Sequence, residues 1–437
     1  MRRDFFRQTL KIALPTAAQS LAVSCFSVAD QIMIGQSGAS VIAGVGFGAK
    51  FASLALTILA GCATGAGILA AQYEGQNSRD ALMRSFTQVF ILSIAICVLF
   101  IIPSLIVPQT VMQLYSPDPA VIAPAARYLS IYVWVLPLSA ITSLYSVVLR
   151  CCGQPAAPLY ASLAGIAANT GLNALFIFGF GWQEAGAAWA SVISQALMAT
   201  VTFAFIRRKL SWMHLSMSRM QPGIVLKVLL PLLITEGLWA LGENIYSMVY
   251  GHTGTAEAAA MTMTIPLQSM LIGILSGFSQ AAGVLVGQRL GQNRFEEAWQ
   301  DSLSLIRYSL CGSLILSSLL CLAAPFYVRL FSVDEFIRQT GVGLICAFAL
   351  MSIVKVQNMV VSGGILRAGG KTNLTMAIDL VGTWGFGVPL AFFALHQGYP
   401  IAALYLTLSM EEAVRMILGA IIFMTRKWMN VLSVQTA

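Results

Sequence analysis

The stretch AGILAAQYEGQN at residues 66–77 recurs as AGVLVGQRLGQN at residues 282–293, which is 216 positions further along the chain. Both copies begin with Ala-Gly, carry glutamine at the seventh position and end with Gly-Gln-Asn. Further pairs align at this shift or at a shift of 217: Pro15 with Pro231, Gly35 with Gly251, Gly38 with Gly254, Leu149-Arg150 with Leu366-Arg367, and Gly153 with Gly370. A repeat with a single change of shift predicts two related halves that fold alike.

The composition indicates an integral membrane protein. Of the 437 residues, 58% are hydrophobic and only 10% are charged, whereas soluble globular domains carry about 25% charged residues. A soluble protein this apolar would expose large hydrophobic patches and aggregate. The formal net charge of +8 does not indicate nucleic-acid binding, because the sequence has no basic stripe.

Long apolar runs predict transmembrane helices rather than the alternating segments of a β-barrel. A span needs about 20 apolar residues, and twelve stretches meet this requirement: 12–34, 40–72, 86–107, 121–149, 156–180, 184–206, 226–250, 256–287, 299–328, 339–366, 373–395 and 398–424. Because each half holds six of them, the repeats run parallel about an axis along the membrane normal. We expect an all-α protein with an N-terminal six-helix lobe (1–206), a cytoplasmic linker (207–225) and a C-terminal six-helix lobe (226–437).

The distribution of basic residues predicts the orientation. Eighteen Lys and Arg lie at one set of span ends, three lie in the opposite loops and four fall inside spans. The positive-inside rule then places both termini in the cytoplasm. We expect a multi-pass protein of a bacterial inner membrane that retains its N-terminus, since no small-residue cleavage site follows the first basic residues.

Polar residues of the first half converge on the outer part of one lobe. A charge at the bilayer centre costs about 2.5–3.5 kcal/mol, so each one is a functional hypothesis. Asp30 lies about 7–8 Å below the outer end of span one, and Asn169 and Asn173 share one face of span five. With Ser191 on span six, these oxygens could coordinate a cation or hold a proton. Lys50 on span two is either a gate that pairs with Asp30 or part of a static salt bridge.

Charged residues of the second half form a separate group. Its members are Glu236 and Glu243 on span seven, Lys355 on span ten, Asp379 on span eleven, and Glu411, Glu412 and Arg415 on span twelve. We expect Arg415 and Lys355 to neutralise Asp379 and Glu412. Glu243 has no evident basic partner at its depth, so it is the better candidate for substrate or ion contact.

No constellation for catalysis accompanies these charges. The three histidines, His214, His252 and His396, lie far apart, and the sequence has no G-x-x-x-x-G-K-[ST] loop for a nucleotide. We therefore expect no enzyme activity, no metal and no cofactor. Paired lobes are typical of transporters, in which one lobe rocks against the other around a shared site.

The motifs resemble the multidrug and toxic compound extrusion (MATE) family over nearly the whole chain. The resemblance rests on these segments: Leu14-Pro15, ADQIMIG at 29–35, AQYEGQN at 71–77, Leu149-Arg150 with Gly153, NTGLNALFIFG at 169–179, Gly186-Ala187-Ala188, GQRLGQNRFEEA at 287–298 and ILRAGGKT at 365–372. It implies two six-helix lobes that form a V and antiport of cationic, amphipathic drugs against a proton or sodium gradient.

The resemblance also assigns residues. Asp30 matches the acidic residue of span one, Asn169 matches the span-five asparagine of the DinF-type branch, which has a cation site in the N-terminal lobe, and Ser191 falls where that branch often carries threonine. Asn173 departs from the pattern because that branch has an acidic residue there. On span seven, Trp239 occupies the family's acidic position.

Three functions follow as hypotheses. The first is a cation-coupled multidrug antiporter, with protons favoured over sodium because the N-terminal site has one carboxylate and a nearby lysine. A flippase for lipids or polysaccharide precursors is the alternative in transport, and a non-transporting scaffold or receptor is the alternative of another class. We expect small cationic drug-like substrates, contact with membrane lipids, no nucleic acid and a monomer.

Overall fold

The computed structural model describes residues 3–34, 39–115, 118–216, 222–251, 255–329 and 334–432. All regular secondary structure within these ranges is helical. In chain order the helices are α1 (Arg3–Ile34), α2 (Ala39–Gly75), α3 (Arg79–Ile106), α4 (Pro108–Gln113), α5 (Pro119–Tyr132), α6 (Val135–Cys151), α7 (Ala156–Asn173), α8 (Gln183–Lys209), α9 (Pro222–Gly251), α10 (Thr255–Gly291), α11 (Phe295–Val328), α12 (Glu335–Asn358), α13 (Thr372–Leu380), α14 (Val388–His396) and α15 (Ile401–Met424).

The helices are long and apolar, as the composition requires. Nine spans among the described residues have the length and hydropathy to cross a membrane, and α5 with α6 makes a tenth if this bent pair is one span. The sequence predicts twelve spans. The two further predicted stretches fall on α1, which has 32 residues, and on α15, whose 24 residues include three charged side chains.

A bend of 43° separates α5 from α6, in the middle of the predicted fourth span. Pro137 lies in the first turn of α6 and has no N–H group, so the carbonyl of Val133 lacks the donor that a continuous helix would supply. The Leu136 N–H donates to that carbonyl instead, over 3.1 Å. The chain therefore tightens locally and changes direction.

Three helices continue into π-helical segments. Ala174–Gly179 follows α7, Met359–Leu366 follows α12, and Val381–Gly387 joins α13 to α14. A π-helical turn widens a helix and leaves some backbone groups without their usual partners, and such turns are frequent at functional sites. Two of the three lie in the second half of the chain.

The internal repeat is also present in the backbone dihedral angles. Positive φ angles recur at the repeat distance in three pairs of residues: Asn77 (53°) with Asn293 (61°), Gly153 (77°) with Gly370 (70°), and Gly181 (69°) with Gly398 (66°). Glycine and asparagine adopt this left-handed conformation at the least steric cost. The two halves therefore turn the chain at equivalent places, as the sequence repeat predicts.

By its contacts the chain divides into two compact units. One consists of Met1–Ser20, Ala71–Asn77 and Lys227–Ala437, and the other of Leu21–Ala70 and Ser78–Leu226. The first contains a core around Leu275, Phe348 and Val356, and the second a core around Leu59, Val133 and Leu136.

The division between Leu226 and Lys227 lies beside the predicted start of the C-terminal lobe. Residues 1–20 and 71–77 group with the second half, because the start of α1 and the end of α2 pack on helix α10. A Cβ atom at Gly277 would overlap the Ala13 carbonyl, which shows how closely these two backbones approach. The lobe boundaries drawn from the sequence stay a prediction.

Candidate functional site

In the N-terminal half, two of the predicted site residues are in direct contact. Asn169 and Asn173 lie one turn apart on α7, and Nδ2 of Asn173 donates a hydrogen bond to Oδ1 of Asn169 over 3.2 Å. The Asn173 side chain is 2% exposed, and the π-helical segment Ala174–Gly179 begins at the next residue. The amide pair therefore lies where the helix widens.

The other predicted site residues of this half are Asp30, Ser191 and Lys50. Asp30 lies on α1, but its side chain is outside the part of the chain whose side chains the structure describes. The Ser191 hydroxyl donates to the Ala187 carbonyl of its own helix over 3.0 Å. Lys50 lies on α2 with an exposed side chain. Convergence of these three residues with the asparagine pair stays a prediction.

In the C-terminal half, Arg415 on α15 is the centre of a charge network. Its Nη2 lies 3.3 Å from Oε1 of Glu411 and its Nη1 lies 3.8 Å from Oε1 of Glu412. Its Nε lies 3.9 Å from Oδ1 of Asp379 on α13, and Nη2 also donates to the Thr383 hydroxyl. Three carboxylates therefore share one guanidinium group that is 5% exposed.

Two further bases extend the network. Nζ of Lys355 lies 3.7 Å from Oε1 of Glu412. Arg367 follows the π-helical segment after α12, and its guanidinium lies 3.7 Å from Oε1 of Glu236 and 3.5 Å from Oδ2 of Asp379. The charge network consists of Glu236, Lys355, Arg367, Asp379, Glu411, Glu412 and Arg415.

Neutral side chains complete the hydrogen bonding of the two glutamates on α15. The Tyr246 hydroxyl on α9 donates to Oε2 of Glu411. Nδ2 of Asn358 donates to Oε2 of Glu412 over 2.8 Å. Glu411 thus has one charged and one neutral donor, whereas Glu412 has two charged partners and one neutral donor. Buried charges need such partners.

Two glycines in the π-helical segment Val381–Gly387 make room for this arrangement. A Cβ atom at Gly382 would overlap the Arg415 side chain, and one at Gly387 would overlap both the Tyr246 hydroxyl and the Glu411 carboxylate. Only a residue without a side chain allows the helix backbone to lie against these groups.

A cavity of about 380 Å³ opens beside the network, between α9, α10, α12 and α15. Its charged wall consists of Glu243, Lys355, Glu411 and Glu412. The rest of the wall includes Tyr246, Tyr250, Tyr405, Phe348 and Gln268. This volume lies in the range of small-molecule pockets, which combine apolar and aromatic walls with a few polar groups.

The cavity and the network together carry an excess of negative charge. The network has four carboxylates and three bases, and Glu243 adds a fifth carboxylate to the cavity wall. Glu243 forms no ion pair with any residue that the structure describes. A cation that enters the cavity therefore meets a wall with three carboxylates, those of Glu243, Glu411 and Glu412, and one ammonium group, that of Lys355.

The sequence identified most of this network but missed some of its members. The pairs of Arg415 with Asp379 and of Lys355 with Glu412 are both present. Arg367 is one of the eighteen basic residues that the sequence places at the cytoplasmic span ends, although its long side chain reaches back to Glu236 and Asp379. Tyr246 and Asn358 are uncharged, so a search for charged residues inside spans does not identify them as members. Within the described residues, no group of three or more His, Cys, Asp or Glu side chains is arranged to hold a metal ion.

Comparison with known proteins gives consistent matches along the chain. The family model described as MatE matches residues 15–175 and 231–393. Among similar sequences, the probable multidrug resistance protein NorM of Burkholderia pseudomallei is 27% identical over 416 residues, which cover 89% of this chain and 86% of that protein. The uncharacterized transporter YisQ of Bacillus subtilis is 22% identical over 93% of this chain and 90% of its own length.

Among solved structures, an outward-facing multidrug resistance MATE transporter of the MOP superfamily matches with a TM-score of 0.88. The match covers 96% of this chain and 95% of that chain, at 17% sequence identity. At this identity the likeness shows a shared fold.

Proposed function

The chain belongs to the MatE family, and from this premise we propose that it is a cation-coupled antiporter that exports cationic, amphipathic compounds by alternating access. Both halves match the family model, and a relative of nearly the same length is named a probable multidrug resistance protein. The observation that carries the proposal is the cavity in the C-terminal half, where Glu243 offers a carboxylate without a basic partner among the described residues.

The proposal includes twelve spans in two six-helix lobes, with boundaries at 1–206 and 226–437 and both termini in the cytoplasm of a bacterial cell. Nine described spans and the bent pair of α5 and α6 support ten of the twelve. We take α1 and α15 as the remaining two, since α1 has 32 residues and the 24 residues of α15 reach about 36 Å at 1.5 Å per residue. The protein would act as a monomer in the inner membrane.

Coupling is proposed to occur in the N-terminal half. Asp30 would bind the coupling cation together with the oxygens of Asn169, Asn173 and Ser191, and Lys50 would act as a gate or ion-pair partner. Protons are favoured over sodium because the site offers one carboxylate, whereas sodium sites gain from several oxygen ligands of higher total charge. The cavity in the C-terminal half would contact the substrate.

Purified protein in proteoliposomes tests this function, with ethidium as a fluorescent cationic substrate. We expect ethidium to move against an imposed proton gradient, with a smaller response to a sodium gradient of equal size. If the rate of ethidium movement is the same with and without each gradient, antiport is rejected and a scaffold or receptor is favoured. Flipping of a fluorescent phospholipid in the same vesicles, without ethidium transport, would favour the flippase.

A further inference from the structure

The chain after the last helix folds back along the molecule. Residues 425–432, called the C-terminal strap below, follow α15 without forming a helix. Trp428 is fully buried, and its Nε1 donates to the Phe423 carbonyl over 3.0 Å. The guanidinium of Arg426 lies 4.3 Å above the Trp299 ring and 3.0 Å from Oε2 of Glu296. The start of the strap is thus anchored to α11 of the same half.

The far end of the strap binds a helix of the other half of the sequence. The Gln72 side chain, at the end of α2, is fully buried. Its Nε2 donates to the carbonyls of Ala368 at 2.6 Å and Asn430 at 3.1 Å, and its Oε1 accepts from the Leu432 N–H at 2.7 Å. Nε2 of Gln76 donates to the Leu432 carbonyl at 3.0 Å. Four hydrogen bonds, three of them to the strap, therefore tie the end of α2 to the second half.

The strap also packs on the loop that follows the π-helical segment after α12. A Cβ atom at Gly369 would overlap the Trp428 carbonyl, and the Lys371 ammonium donates to the Lys427 carbonyl. The loop that contains Ala368 is thus held between the end of α2 and the strap. All these groups belong to the compact unit that includes Ala71–Asn77 and Lys227–Ala437.

Beneath the strap, α2 and α10 cross at repeat-related residues. A Cβ atom at Gly75 would overlap the Gln288 carbonyl, and a Cβ atom at Gly291 would overlap the Gln72 carbonyl. The two helix ends therefore meet backbone to backbone at the Gly-Gln-Asn motifs that define the repeat. Basic residues predict that this end of both helices faces the cytoplasm.

The equivalent segment of the first half packs on a helix of its own half. Trp212-Met213 stands 216 positions before Trp428-Met429, and it also follows the last helix of its half. There Arg79 lies 5.0 Å from the Trp212 ring, and the Ser216 N–H donates to the Thr87 hydroxyl over 2.8 Å. Those contacts remain on α3 of the same half. In both halves the segment after the sixth helix is therefore anchored within its own half, and the strap in addition binds Gln72 and Gln76.

We propose that the C-terminal strap is a releasable latch, which holds the end of α2 against α10. Its hydrogen bonds to Gln72 and Gln76 must break during each transport cycle. The inference rests on the proposed alternating-access function. The tie consists of hydrogen bonds to amide and carbonyl groups, which water can replace one by one when the helix ends separate. The anchor on Trp299, Phe423 and Glu296 stays in place, so the strap keeps its position and can bind Gln72 again.

Reversible crosslinking tests the latch. In a variant whose eight native cysteines are replaced, Gln76→Cys with Leu432→Cys is crosslinked by a short bis-methanethiosulfonate reagent. The matched control is Glu296→Cys with Arg426→Cys, which ties the strap to its anchor within the second half. We expect the first crosslink to slow gradient-driven ethidium efflux at least tenfold, with recovery on reduction, and the control crosslink to change it less than twofold.

Equal efflux before and after the 76–432 crosslink would overturn the latch, as would equal inhibition by both crosslinks. Failure of the proposed function has a different signature, which is the absence of gradient-driven efflux in both variants before crosslinking. In that event hydrogen–deuterium exchange in nanodiscs tests the latch separately. If the strap is a latch, the amides of 430–432 change their exchange rate when ethidium is added, and the amides of 426–428 do not. Unchanged protection throughout the strap would overturn the proposal.

Discussion

The Tyr246 hydroxyl on α9 donates a hydrogen bond to the Glu411 carboxylate on α15, and the backbone of Gly387 lies against both groups. The same carboxylate pairs with Arg415 and lines the cavity. Tyr246 therefore links the cavity wall to the charge network. At a shift of 216 positions, Tyr246 is also the repeat equivalent of Asp30, so both halves carry a polar residue at this helix position.

Replacing Gly387 with alanine should disturb this contact. The added methyl would overlap the Tyr246 hydroxyl and the Glu411 carboxylate, and overpacking of this kind costs about 1–3 kcal/mol. Gly385→Ala in the same π-helical segment is the matched control, because its nearest neighbouring atom is 3.8 Å away. Thermal unfolding in detergent should show a lower midpoint for Gly387→Ala alone. Equal midpoints would mean that the backbone has room to shift.

Removing the Arg367 guanidinium should leave two carboxylates short of a partner. Glu236 would lose its ion pair, and Asp379 would keep only the longer contact with Arg415. Removing one partner of a buried pair is destabilising because the remaining charge is uncompensated, and the effect is smaller here because the three side chains are 15–22% exposed. We expect Arg367→Gln to lower the unfolding midpoint and Glu236→Gln in that background to raise it again. Additive losses in this double-mutant cycle would show that the two side chains do not interact.

The sequence predicts some structural features of this molecule and leaves others undetermined. The repeat and the helical class follow from side-chain spacing and composition, and the repeat-related positive φ angles at Asn77 and Asn293 agree with them. The fourth predicted span, 121–149, is longer than a straight span needs, which predicts a tilt, a kink or an extension beyond the lipid, and the structure bends there by 43°, where Pro137 removes an N–H. A proline in an apolar run signals a break, but its angle depends on the neighbouring helices.

The charge network shows a second limit. The sequence predicts that Arg415 and Lys355 neutralise Asp379 and Glu412, and the structure has Arg415 paired with Asp379. It does not place Arg367 in the network, because a position along the chain locates the Cα atom, whereas an arginine side chain can extend several ångströms back along a helix. The sequence also does not predict the bonds of the strap to Gln72 and Gln76. These bonds join residues 356 to 360 positions apart, and no periodicity encodes such contacts.

Glu243 is the expected substrate contact in the cavity. We expect Glu243→Gln to keep the protein folded, because the carboxylate forms no ion pair among the described residues. Ethidium binding should weaken about tenfold, because the substitution removes a charge that attracts a cation. Fluorescence titration of the purified variant measures this. Glu335→Gln, an exposed substitution at the start of α12, is the control and should bind normally. Wild-type affinity in Glu243→Gln would exclude the cavity carboxylate from binding.

The crossing of α2 and α10 should tolerate no side chain at Gly291. Alanine there would overlap the Gln72 carbonyl, so the helix ends must separate and the bonds of Gln72 to the strap must lengthen. Gly283→Ala on the same helix meets no atom within 4 Å and should be neutral or slightly stabilising, since alanine favours helices by about 1 kcal/mol over glycine. We expect faster hydrogen–deuterium exchange at the Leu432 amide in Gly291→Ala only. Identical exchange in both variants would argue that the crossing does not support the strap.

Coupling at Asp30 is the most demanding prediction, because the assignment comes from the sequence. Asp30→Asn removes the only carboxylate of the predicted N-terminal site and retains its size, so gradient-driven ethidium efflux should fall to the level of empty vesicles. Asp80→Asn, at the exposed start of α3, should leave efflux unchanged. A companion variant addresses ion choice: Asn173→Asp adds a second carboxylate one turn from Asn169 and should increase the response to sodium, which gains from additional charged oxygen ligands. Full proton-driven efflux by Asp30→Asn would move the coupling site elsewhere, with the carboxylates beside the C-terminal cavity as the next group to substitute.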